Sequence, residues 1–66
     1  MENTLAQLRN QHGITQDELA RLAEVSRQTI ISIEKGRYEP RLALAFRLAR
    51  IFSCRVEDLF IPTDER

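Results

Sequence analysis

The sequence has a single cysteine, a single histidine, two glycines, two prolines, no tryptophan and no net charge, ten Lys/Arg standing against ten Asp/Glu. Each shortage excludes something. Cys54 has no partner for an internal disulfide, so the core is not stapled and a reducing cytoplasm is the compartment that fits. His12 has no companions for a metal set, and its place near a helix end is accounted for by the terminal carbonyls there. Two glycines make no phosphate-cradling loop. No apolar run reaches about eighteen residues, and the opening Met-Glu-Asn-Thr lacks the basic-then-apolar pattern of an export signal, so a soluble, cytoplasmic chain with no membrane partner is expected. A chain of 66 residues removes only about 60% of its unfolded surface from water on folding, which leaves little room for an enclosed active site. The acidic pairs Asp17-Glu18 and Glu57-Asp58 stand at helix beginnings, where the dipole explains them, and Cys54 reads as a packed thiol rather than a nucleophile. No enzyme, cofactor, metal or small-molecule ligand is expected.

The zero total hides an uneven distribution. Between Val25 and Arg50 the basic residues Arg27, Lys35, Arg37, Arg41, Arg47 and Arg50 oppose only Glu34 and Glu39, and the acidic surplus lies outside that stretch. Such a chain can turn one basic face to a polyanion and remain soluble elsewhere, although solvated surface charge gives the same composition.

The punctuation is helical throughout, with no strand period and no repeat. Five helices are expected, in one domain over residues 1–66. The first spans about Thr4 to His12, with Asn3 as a cap and Gly13 as a left-handed stop. The second begins at Thr15, where Thr-Gln-Asp-Glu forms a capping box, and Leu19, Ala20 and Ala23 supply its buried stripe. Glu24-Val25 leaves almost no loop before Ser26 caps a third helix that stops at Gly36. Pro40 opens a fourth reaching about Phe52, and Val56-Glu57-Asp58-Leu59-Phe60 forms a short last one before Pro62.

At about 100° per residue, Ile30 and Ile33 share the core side of the third helix, with Ser26 and Thr29 nearby. The other arc carries Gln28, Ile31, Ser32 and Lys35, flanked by Arg27. Arginine can pair with guanine O6/N7, glutamine with adenine N6/N7, and isoleucine can touch a thymine methyl, so this arc has the chemistry to enter a major groove.

These residues resemble the helix-turn-helix domain of the phage Cro and repressor type, the Xre family. The resemblance runs from Leu5 to Leu59 and is carried by Gly13-Ile14-Thr15-Gln16-Asp17-Glu18-Leu19-Ala20, Val25-Ser26-Arg27-Gln28-Thr29-Ile30, Ile33-Glu34-Lys35-Gly36 and Pro40. It implies an all-α, lambda-repressor-like fold: a compact five-helix bundle with its helix-turn-helix at about 15–36 and its third helix in the major groove. The length matches a domain standing alone, without a ligand-sensing module.

The resemblance also implies roles. Arg27, Gln28 and Ser32, with Ile31 beside them, match base-reading positions, Arg27 having a phosphate as its other possible partner. Gln16 matches a phosphate-contacting glutamine at a helix start. Lys35, Arg37 and Arg41 surround the turn where the family grips the DNA backbone, or are solvated charges; Tyr38 reaches a phosphate through its hydroxyl or packs on the loop. Arg9 and Glu34 match an ion pair that locks the first helix to the third.

The fourth helix is apolar around most of its circumference, more than one small core consumes, which points to a second buried contact, although a central helix touching every other helix gives the same pattern. A homodimer is expected, with Ile51, Phe60 and Ile61 at the interface; Phe60 has the alternative of closing the chain's own core. The expected function is sequence-specific binding of a double-stranded, palindromic operator as a repressor or autoregulator. The alternative is an antitoxin or protein-interaction module that also binds its own promoter. The few residues after Phe60, Ile-Pro-Thr-Asp-Glu-Arg, are too short to wrap a toxin and favour the first.

Overall fold

Side-chain caps set where the second and third helices begin. The computed structural model describes residues 1–62. A two-residue strand β1 (Glu2–Asn3) leads into α1 (Leu5–Gln11), α2 (Gln16–Ala23), α3 (Arg27–Glu34), α4 (Leu42–Ile51) and α5 (Val56–Leu59), and strand β2 (Phe60–Ile61) follows without a break.

At Thr15 the hydroxyl accepts the Glu18 N–H at 3.1 Å and the Glu18 carboxylate accepts the Thr15 N–H at 2.8 Å. This is the reciprocal box expected from the sequence, and such caps stabilise a helix by about 1 kcal/mol. Ser26 caps α3 by accepting the Thr29 N–H at 3.1 Å. Between them the chain reverses at Glu24, which takes a left-handed conformation (φ 62°, ψ 42°) that costs a non-glycine residue roughly 1 kcal/mol or more. The Val25 N–H reaches back to the Ala20 carbonyl at 3.0 Å, closing α2 in the manner of a Schellman motif. At the far end of α3, Gly36 has φ 75°, and a Cβ there would stand 3.1 Å from the Met1 carbonyl oxygen. The left-handed conformation and the tight approach of Met1 both favour glycine at this position.

Three expectations need correction. Asn3 is not the residue flanking α1: Thr4 is, and Thr4 gives its N–H to the Leu59 carbonyl and its hydroxyl to the Asp58 carbonyl, each at 2.8 Å. Asn3 still serves the first turn from one residue further out, its Oδ1 accepting the Leu5 N–H at 3.1 Å. Pro40 does not open α4, because the chain stays extended through Arg41 (ψ 157°) and turns helical only at Leu42. The chain is also not helical throughout. Glu2 pairs with Ile61 and Asn3 with Phe60 in an antiparallel ladder, a pairing too short to leave a strand period in the sequence.

The core is built from Leu5, Leu19, Ile30, Ile33, Leu48 and Leu59, all fully buried, with Ala20, Ala23, Ala45 and Ala49 letting the helices approach closely. Burying each large side chain contributes about 1.5–3 kcal/mol. Phe60 packs within this core at 7% exposure, the interior placement that the sequence leaves open beside a contact role. Cys54 is half-buried against the same cluster, and burial, followed by the nearby Asp58 carboxylate, pushes its thiol above the ordinary value. His12 closes the end of α1, its Nδ1 lying 2.9 Å from the Leu8 carbonyl and its ring edge-on to Phe52 at 5.0 Å.

Candidate nucleic-acid interface

With Ile30 and Ile33 turned into the core, α3 has no freedom to rotate about its axis. Its outward arc is thereby fixed. Arg27, Gln28 and Lys35 are exposed, whereas Ile31 and Ser32 are half-buried and sit lower on the flank than the helical wheel alone suggests. The Gln28 amide lies 3.4 Å from the Ser32 hydroxyl, one turn along the helix. Arg27 faces Asp17 of α2, with Nε 3.7 Å from Oδ1; both side chains are largely exposed, so the pair orients more than it stabilises. The sequence accounts for Asp17 by the helix dipole alone and gives no sign of this second partner.

Beneath the arc lies a more deeply set cluster. Arg9 Nε donates to Glu34 Oε2 at 2.7 Å, with side chains only 14% and 8% exposed, and Arg9 Nη2 reaches Glu34 Oε1 at 3.4 Å. Arg9 Nη1 donates to the Ile14 carbonyl at 3.0 Å, bracing the connection into α2. The ion pair implied by the resemblance is therefore present. Its carboxylate has a further partner, because Gln16 Nε2 donates to Glu34 Oε1 at 3.0 Å. Gln16, at the first position of α2, is half-buried and held at this cluster.

After α3 the chain carries Lys35, Arg37 and Tyr38 in succession and reaches Arg41 immediately before α4, all four exposed. Arg47, counted with these cations in the sequence, has a different occupation: its Nη1 donates to the Ala23 carbonyl at 2.8 Å. It closes the C-terminal end of α2 from across the core, and nothing in the spacing of the sequence signals this.

The expected subunit contact is divided. Ile61 is 44% exposed, Ile51 is half-buried against the core, and Phe60 is inside it. Two further apolar side chains, Leu42 (68%) and Phe46 (53%), are more exposed than any of these and stand one turn apart on α4. A shallow groove of about 310 Å³ runs beside Leu42, lined also by Val56 and Phe60. Among the described residues, no helix is long and apolar enough to cross a membrane.

Comparison with known proteins agrees with this architecture. The chain is 51% identical over 65 residues to an uncharacterised HTH-type transcriptional regulator of Methanocaldococcus jannaschii, covering 98% of each chain. It is 48% identical over 65 residues to another from Archaeoglobus fulgidus, covering 98% of this chain and 93% of that one. Among solved structures, the restriction-modification controller protein C.AhdI from Aeromonas hydrophila superposes with a TM-score of 0.77 at 28% identity over 85% of both chains. A transcriptional regulator from Listeria innocua shares the fold, with a TM-score of 0.82 at 23% identity over all of this chain and 65% of the other. A helix-turn-helix family model matches residues 5–59, and the chain accordingly belongs to the Xre-like helix-turn-helix family of transcriptional regulators.

Proposed function

We propose that this protein binds double-stranded DNA sequence-specifically, as a repressor or autoregulator that acts by occupying a promoter. The observation that carries the reading is the exposed arc of α3, where Arg27 and Gln28 are exposed on a helix whose rotation is fixed by the buried Ile30 and Ile33, with the exposed Lys35 just past its end. An α-helix fits the major groove, and side chains of these types match the edges presented there. Gln28 reads an adenine, Arg27 a guanine or the adjoining phosphate, and Ser32 and Ile31 make the closer contacts at the flank. Gln16, Lys35, Arg37, Tyr38 and Arg41 hold the backbone on either side and set the register.

The same reading includes a two-fold homodimer. Its support is the exposure of three large apolar side chains, Leu42, Phe46 and Ile61. Ile51, packed against the core, belongs to the same proposed contact, and the buried Phe60 supports it from within. Two recognition helices would then stand about 34 Å apart on a near-palindromic operator.

Selection of bound duplexes from a random-sequence pool, at a stated salt concentration, tests the proposal directly. The expected result is enrichment of an inverted repeat with half-site centres about one helical turn apart. A pool that remains random after successive rounds, with retention that depends only on salt, overturns sequence-specific binding.

A further inference from the structure

We propose that Glu34 is a positioning residue for DNA: its carboxylate fixes the side-chain amide of Gln16 so that one N–H stays committed to the protein and the other is presented to the backbone phosphate. The inference rests on the proposed phosphate contact of Gln16. A carboxylate can only accept, so the Gln16 amide must turn its NH₂ end, not its oxygen, toward Glu34 Oε1 at 3.0 Å. The amide nitrogen carries two hydrogens, and one is left over. A free glutamine would have to lose rotamer freedom and choose the correct flip on meeting DNA; here both are settled beforehand, which is worth about two- to tenfold in affinity.

A negative charge near a phosphate would ordinarily oppose binding. Arg9 removes that objection. Its guanidinium holds the other carboxylate oxygen at 2.7 Å and, through a second nitrogen, the Ile14 carbonyl at 3.0 Å. The carboxylate therefore orients Gln16 while its charge is balanced, and Arg9 fixes the segment that delivers Gln16 to this place. Three helices meet at one carboxyl group: Arg9 comes from α1, Gln16 from α2 and Glu34 from α3.

The test measures DNA affinity for the wild-type protein, Glu34→Gln, Gln16→Ala and the double variant, each corrected for its folded fraction by chemical denaturation. Glu34→Gln is expected to weaken operator and random duplex alike, by about two- to tenfold, and to have no further effect once Gln16 is alanine. Equal losses from Glu34→Gln in both backgrounds would overturn the positioning role while leaving the Gln16 contact intact. If Gln16→Ala itself leaves affinity unchanged, the phosphate contact fails and the positioning role falls with it. A readout that needs no variant to fold is the side-chain amide of Gln16 in the DNA-free wild-type protein, followed by NMR. One of the two hydrogens, the one held by Glu34, is expected to be displaced from its unstructured-peptide shift and protected from exchange with water, and a pair with the shifts and exchange rates of an unstructured peptide contradicts the proposal.

Discussion

The guanidinium of Arg47 in α4 lies 2.8 Å from the carbonyl of Ala23, the last residue of α2. A helix end leaves such carbonyls without intrahelical partners, and here a charged donor from another helix satisfies one immediately before the left-handed Glu24. The turn that sets the angle between α2 and α3 is thus held from outside the helix-turn-helix.

Arg47→Ala should destabilise the fold by ~1.5–3 kcal/mol, the range for hydrogen bonds to charged groups. Urea denaturation measures the loss. Despite the lost positive charge, the salt dependence of DNA binding should keep its slope, because Arg47 is committed to the protein; a slope reduced by about one would place it on a phosphate.

Glu34→Ala should cost ~1–4 kcal/mol by leaving Arg9 mostly buried without its counter-charge. Denaturation of both single variants and of the double variant separates the pair from its surroundings. Strictly additive losses would mean that the 2.7 Å contact contributes no coupling energy.

At the proposed interface, Gln28→Ala is expected to lose preference for operator over random DNA by ~1–3 kcal/mol per half-site. Arg37→Ala should weaken every sequence equally and flatten the salt dependence by about one unit of slope. Competition binding over a salt series distinguishes them, and a Gln28→Ala variant that weakens random DNA as much as operator contradicts the assignment.

Acid should loosen the end of the bundle. Asp58 accepts the Arg55 N–H at 3.0 Å, and that bond, followed by the bond to the Arg55 side chain, holds its carboxyl below the ordinary value. A carboxylate lowered in the folded state stabilises it above the unfolded carboxylate range, and the stabilisation is lost as pH falls through the folded value. The stability gap between wild type and Asp58→Asn should therefore close on acidification, as followed by denaturation midpoints across the acid range. A gap independent of pH would remove Asp58 from the account.

Ile61→Asp and Phe46→Asp should separate the subunits while retaining helical content, with specific affinity falling because two half-sites are no longer bound as one unit. Phe60→Ala should instead cost ~3–5 kcal/mol of folding stability, as removal of a core aromatic does. Sedimentation equilibrium at tens of micromolar, beside circular dichroism, checks both; an aspartate variant that dimerises unchanged would exclude its residue from the contact.

The parts of this structure legible in the sequence are those written locally. Thr15, Glu18 and Ser26 announce their helices because a cap spans only four residues, and Ile30 with Ile33 reveals the buried side of α3 through helical spacing. What escaped depends on partners distant along the chain. Arg47 looked like one more surface cation until α4 packed on α2; Phe60 had two plausible destinations until β2 formed; Glu24 shows that a left-handed turn can be imposed on a residue with no preference for it. At the candidate site the residue types of α3 were readable, but Asp17 beside Arg27 and Glu34 beside Gln16 require α2 and α3 to be in register first.

Asn3 illustrates how much one small residue can tie together. Its backbone pairs with Phe60, next to the exposed Ile61, while its side-chain amide donates to the Ile33 carbonyl at 2.7 Å in the last turn of α3. The offset between the helix that would enter DNA and the edge that would meet a second subunit is consequently carried by one rigid link instead of a pliable loop. In the proposed dimer, the spacing between two half-sites would follow from this backbone link, and a DNA target with another spacing would have to bend to meet both recognition helices.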